Sequence, residues 1–152
     1  MPSKNIKFDR YRLRKLRRRH RLKFIILHGS HVTGKARRDS DVDIAVVRER
    51  ATARSKSFLD LHHDLTRALS RANGLKLDLK PLDRTDPLFR HEVVRDGRLI
   101  CGDKTAYEEF KAVTLRMYED ARPLFELEHA LTKKYQRALN RTRHDQQTIH
   151  RS

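Results

Sequence analysis

Three small groups of residues in this chain have the types and spacing that chemistry on phosphate requires: Gly29-Ser30, Asp41-Val42-Asp43 and Asp78. Phe24-Ile25-Ile26-Leu27 is a continuous apolar run, β-branched at its centre, that ends at His28-Gly29-Ser30, which reads as a buried strand entering a turn. Glycine lets backbone approach a ligand closely and tolerates positive φ. A helix opening at Ser30 would turn its free N–H groups and positive dipole end towards that turn, with the Ser30 hydroxyl as a further donor to a triphosphate. Ten residues on, Val42, Ile44 and Val46 alternate with Asp41, Asp43 and Ala45. The period of two in a strand puts both carboxylates on one face and leaves the other face apolar. Neighbouring carboxylates raise each other's pKa unless a cation lies between them. Magnesium suits the pair, since it takes one or two carboxylates and completes its shell with water and substrate phosphates.

A third acid stands in Leu75-Lys76-Leu77-Asp78-Leu79-Lys80, where Leu75, Leu77 and Leu79 share one face and Asp78 the other. Beside the Asp41/Asp43 strand, Asp78 would complete a site for a two-metal in-line displacement, as a metal ligand or as base for an attacking hydroxyl. Asp83 and Asp86 are the alternatives for this place. A lone Asp-x-Asp is ordinarily a solvated strand edge and a lone Gly-Ser a turn; the combination with two apolar strands and a third acid favours a catalytic site. Gly29 to Lys35 also has the spacing of a P-loop, but Ala36 stands where that motif needs Ser or Thr for magnesium. The chain also returns to a strand by Asp41 instead of continuing a long helix.

From Phe24 to about Ala121 the chain resembles the minimal nucleotidyltransferases of the DNA polymerase β superfamily, most closely the MntA-like antitoxins. The resemblance is carried by Phe24 to Ser30, Gly34-Lys35-Ala36-Arg37, Ser40 to Val46, Leu77-Asp78-Leu79 and Asp96-Gly97-Arg98-Leu99-Ile100, with a helix over Tyr107 to Asp120. It implies transfer of AMP from ATP to a tyrosine of a partner toxin, a HEPN-type ribonuclease, which is thereby silenced. On that implication Gly29 and Ser30 hold the triphosphate, Asp41 and Asp43 hold Mg2+, and Asp78, the further candidate metal ligand, assists the tyrosine hydroxyl. His31 and Thr33 depart from related sequences, which often carry arginine there. The same ions and triphosphate grip would serve transfer to RNA or a small molecule, and an antitoxin acting by binding alone is a third reading.

The elements that must position these residues define an α/β fold, a short mixed β-sheet backed by α-helices. Residues 1–23 read as a basic N-terminal helix or extension, 24–122 as the nucleotidyltransferase core, 123–140 as a C-terminal helix and 141–152 as a disordered tail. Phe58, Leu61, Leu65, Ala68 and Ala72 mark a helix after Ser57 that Asn73-Gly74 ends. Asp86-Pro87 opens a second, stopping at Asp96-Gly97. Thr105 and Glu108 form a capping box before Phe110, Val113 and Met117. Pro123 should break or kink the chain before the stripe Leu124, Leu127, Leu131, Tyr135 and Ala138.

The 152 residues fit one domain, and the net charge of +16 belongs to its ends. Met1 to Lys23 holds eleven Lys and Arg against Asp9 alone, and Lys133 to Ser152 holds six against Asp145, so the core between them is nearly neutral. Charge is therefore not part of the chemistry. Arg12, Arg14, Lys15, Arg17, Arg18 and Arg19 crowd one helix beside a weak apolar face of Phe8, Tyr11, Leu13 and Leu16, which suits an anionic partner, either RNA contacted through its backbone or an acidic toxin surface. Aromatic content of 7% disfavours base stacking. No apolar run reaches the roughly 20 residues of a membrane span, no secretion signal is evident, the single Cys101 excludes an internal disulfide, and the nine histidines lack paired zinc spacing. These features lead to the expectation of a cytoplasmic protein.

Overall fold

A computed structural model describes residues 6–37, 39–49, 57–74, 76–83 and 85–149. The elements in chain order are α1 (Arg10–Arg19), β1 (Leu22–His28), α2 (Ser30–Thr33), β2 (Val42–Arg48), α3 (Phe58–Asn73), β3 (Leu77–Pro81), α4 (Pro87–Asp96), β4 (Arg98–Gly102) and α5 (Lys104–Ile149). The strands form a mixed sheet in the order β3-β2-β1-β4. β1 is antiparallel to β2 and to β4, whereas β2 and β3 are parallel and joined through α3. Leu75, expected at the start of β3, and the side chain of Ala72 lie outside what is described.

The mixed α/β architecture is as the sequence predicts, but helices cover both faces of the sheet and not only its back. On one face Ile25, Leu27, Val42, Ile44 and Val46 pack with Leu13 of α1 and Leu61, Leu65 and Leu69 of α3. On the other Phe24, Ile26, Ala45 and Val47 meet Val93 of α4 and Tyr107 at the start of α5. Two covered faces explain why β1 and β2 are runs of buried residues, since strands buried on both sides need apolar side chains on both. Phe24 anchors the second face, with Tyr107 and Phe110 rings 5.5 Å away. Leu13 is fully buried and Phe8 and Leu16 pack against the core, so α1 is part of the folded body; Tyr11 points away and is 76% exposed.

Capping decides where the helices start. Asp9 accepts from the Tyr11 and Arg12 N–H groups at α1, and Asp86 accepts from Phe89 N–H at α4, with Pro87 in the first turn. At α5 the cap is Asp103, which accepts from Ala106 N–H at 2.8 Å, in place of the expected Thr105/Glu108 box. Strand β4 ends at Gly102, and the next residue able to cap is already in position.

The chain divides into two compact units, Met1–Leu115 and Arg116–Ser152. Helix α5 runs through Pro123, where a break or kink was expected, and continues to Ile149. Proline removes one N–H from the helix ladder. Strong helix formers surround it, and Arg122 bridges the site with ion pairs to Glu119 at 3.1 Å and Glu126 at 3.7 Å.

Candidate active site

The sheet register lines up three polar side chains across three strands. His28, the last residue of β1, pairs with Asp43 of β2, and Asp43 pairs with Asp78 of β3. The period of two within each strand puts these side chains on the face that carries Phe24, Ile26, Ala45 and Val47, at the end of the sheet where the apolar covering stops. Lys80, two residues after Asp78, shares its face and sets Nζ 3.4 Å from Asp78 Oδ2, both side chains being about half exposed. Asp41 is exposed and precedes β2. The structure thus brings Asp43 and Asp78 together, and leaves Asp41 at the margin.

Gly29 is required by this arrangement. It turns the chain at φ +71°, and a Cβ built there would stand 2.8 Å from Asp43 Cγ and closer still to Oδ2. The Asp43 carboxylate therefore occupies the space a side chain would fill, and the backbone of the turn lies directly against it. Helix α2 opens at Ser30 as expected and closes after four residues at Gly34, itself left-handed at φ +75°. Its short length and immediate return to β2 agree with the rejection of a P-loop.

The loop between α2 and β2 is tied down by its own polar groups. His31 Nε2–H donates to the Ser40 carbonyl at 3.1 Å, Arg37 N–H donates to Ser40 Oγ at 2.8 Å, and Thr33 Oγ1–H donates to the Gly29 carbonyl at 3.2 Å. His31 and Thr33, the positions that depart from related sequences, thus hold the turn's shape.

Burial pushes the Asp43 carboxyl above its ordinary pKa, with Asp78 and Asp41 adding to the effect and His28 and His31 opposing it. Burial likewise lowers the His28 pKa, helped by Lys80 and opposed by Asp43 and Asp78. His28 stacks edge-on to Phe89, with centroids 6.1 Å apart, and its buried Nε2 has no hydrogen-bond partner among the described residues. His28 and Lys80 were not singled out from the sequence. The alternation that marked Asp43 and Asp78 extends to both: His28 follows Phe24 and Ile26, and Lys80 follows Asp78.

Among the described residues no three His, Cys, Asp or Glu side chains converge tightly enough to hold a metal ion unaided. The donors present still fit a hard divalent cation brought in with a phosphate substrate, which needs only one or two carboxylates from protein. Asp43 and Asp78 are adjacent, all-oxygen donors, and the missing side chain at Gly29 leaves backbone against Asp43.

A family model described as polymerase beta, nucleotidyltransferase matches residues 13–106. Among solved structures, a chain of a toxin–antitoxin complex crystallised with AMP-PNP is 25% identical, with a TM-score of 0.58 over 78% of this chain and 97% of that one. A chain of an MntA–HepT complex is 24% identical, with a TM-score of 0.52 over 77% and 93%. A chain of the tri-AMPylated Shewanella oneidensis HEPN toxin in complex with MNT antitoxin is also 24% identical, with a TM-score of 0.52 over 77% and 92%; these last two similarities speak for the fold. No curated protein matches the chain. The family match spans more than half of the sequence and includes every residue of the glycine turn and the acid cluster, and the chain belongs to the polymerase beta nucleotidyltransferase family.

Proposed function

We propose that this chain is the nucleotidyltransferase antitoxin of a toxin–antitoxin pair and that it transfers AMP from ATP to a tyrosine of a HEPN-type toxin. The observation that carries the reading is the packing of the Gly29 turn against Asp43, with Asp78 in register beside it. Similarity to a toxin–antitoxin chain crystallised with AMP-PNP supports the nucleotide and the partner, and the fold shared with the tri-AMPylated toxin complex agrees with AMP as the group moved.

On this reading the Gly29-Ser30 turn receives the triphosphate through backbone N–H groups and the Ser30 hydroxyl. Asp41, Asp43 and Asp78 would hold magnesium, which when bound neutralises charge on the phosphates and the leaving group. Asp78 accepts the proton of the incoming tyrosine hydroxyl. The phenolic oxygen forms a bond to the α-phosphorus, the bond to the bridging oxygen breaks, and pyrophosphate leaves. Asp43, held by the strand ladder and lying against the turn, fixes the distance between acids and phosphates, and such positioning supplies much of phosphoryl-group catalysis. The reaction belongs in the cytoplasm, where ATP is supplied; among the described residues no helix is long and apolar enough to cross a membrane.

The test is to incubate the chain with magnesium, α-phosphate-labelled ATP and host-cell extract, beside the Asp41→Asn/Asp43→Asn double variant. Label on a discrete protein of toxin size, lost with the variant, is the expected result. Label on RNA would replace the acceptor, and toxin neutralisation that survives the double substitution without any label would leave binding alone.

A further inference from the structure

The second unit carries an apolar stripe that its own fold leaves uncovered. At 100° per residue, Met117, Leu124, Leu127, Leu131, Tyr135 and Leu139 of α5 fall within an arc of about 120°, which Asp120 and Glu128 share. Each is between 44% and 70% exposed. The stripe runs over roughly 33 Å at 1.5 Å per residue, and exposed apolar side chains in such a row, with two carboxylates set among them, mark an interaction site. It lies beyond residue 106, where the family match ends. The similar toxin–antitoxin chain is matched over 97% of its length while covering only 78% of this one, so this chain is longer than the body such complexes share.

The charges beside the stripe identify what covers it. Glu119, Asp120, Glu126 and Glu128 precede Leu131, and Lys133, Lys134, Arg137 and Arg141 follow it. Arg122 already neutralises Glu119 and Glu126 within the helix, which leaves Asp120 and Glu128, both inside the arc of the stripe, as the acids that a partner must meet. A helix acidic in one half and basic in the other is complementary to itself when turned end for end. We propose that two copies of this chain pair through α5 as an antiparallel two-helix coiled coil centred on Leu131. In that register Leu131 meets its counterpart, Leu127 faces Tyr135, Leu124 faces Ala138, and Glu128 faces Lys134, with Asp120 beside Arg141. A parallel pairing would oppose Glu128 to Glu128 and Lys134 to Lys134, which is unfavourable. The two-fold axis makes the contact isologous and closes the assembly at two.

Sedimentation equilibrium of the full chain, alone and at moderate salt, tests the proposal independently of catalysis. A concentration-dependent dimer is expected. Leu127→Asp/Leu131→Asp should weaken it by roughly thirtyfold or more, the scale of a central apolar anchor, with circular dichroism confirming that the core sheet remains folded. Lys134→Glu should weaken the dimer and Glu128→Lys/Lys134→Glu should restore it, a rescue that only the antiparallel register gives. A monomer at all concentrations up to roughly 100 µM would overturn the proposal. So would a dimer indifferent to the leucine variant, absence of rescue, or assembly only when a helical toxin is added.

Discussion

Gly29 and Asp43 form one packing unit, and the least substitution that tests it is a single methyl group. Gly29→Ala places that group on the Asp43 carboxylate and forces a residue with a side chain to hold φ +71°. The expected cost is about 1–3 kcal/mol of stability, with transfer activity falling at least roughly a hundredfold because a displacement of about 1 Å at a reacting centre is worth that much; chemical denaturation and the labelling assay read the two separately. Asp43 itself is held in the folded state with a raised pKa. The unfolded chain binds fewer protons between the ordinary carboxylate value and the raised one, so ionising Asp43 costs stability as pH rises through that window. Asp43→Asn should therefore abolish transfer yet melt higher than the parent at neutral pH, and the advantage should vanish below about pH 4, where both states are protonated. Thermal melts of both proteins across pH 3.5–7.5 check the sign.

At the scale of elements, α1 is fastened to α3 by a polar contact laid over an apolar one. Leu13 packs with Leu61 and Leu65, while His20, almost wholly buried, is 2.7 Å from Asp64 Oδ2 and Arg19 adds an ion pair at 3.3 Å. The hydrogen bond from His20, with burial opposing and Arg19 assisting, holds the Asp64 pKa below its usual value. A depressed carboxylate stabilises the fold above its unfolded pKa and loses that contribution as pH falls through the folded one. Asp64→Asn should cost about 1 kcal/mol at pH 7, and the difference should close below about pH 4; urea titrations at both pH values decide it. The chemistry-bearing strands were legible in the sequence because Val42-Asp43-Ile44 and Leu77-Asp78-Leu79 alternate with a period that only a strand has. Which strand lies beside which was not, since local periodicity carries no information about the parallel β2–β3 pairing that puts Asp78 at Asp43. The two-sided covering of the sheet could be read in principle from the continuous run Phe24 to Leu27, and the basic run of α1 concealed that Leu13 is a core residue. Pro123 misled for a local reason: its missing hydrogen bond is outweighed by neighbours that favour helix. Pro123→Ala should accordingly stabilise α5 by up to about 3 kcal/mol, seen as greater helical signal near the unfolding midpoint.

For the molecule as a whole, the charge lies away from the chemistry. The α1 surface carries Arg10, Arg12, Arg14, Lys15, Arg18 and Arg19 exposed to solvent, whereas the site at the far end of β1 gathers acids around one lysine. A ligand that brings both phosphate and metal to those acids binds only the folded chain, so magnesium with ATP at about a hundred times its dissociation constant should add about 2.7 kcal/mol. That corresponds to a melting shift of several degrees for a body of this size. The shift should be absent in Asp43→Asn, and calorimetry with and without the nucleotide measures it. Tyr107 sets a different condition on any such enzyme. Its ring is sealed against Phe24, its hydroxyl group turns towards the Gly97 carbonyl at 3.5 Å, and burial pushes its pKa up to about 12. Under the proposed transfer to a tyrosine, the chain's own four tyrosines are competing acceptors; Tyr107 is withdrawn from that chemistry, and self-labelling, read by peptide mapping, is expected only at Tyr11, Tyr118 and Tyr135.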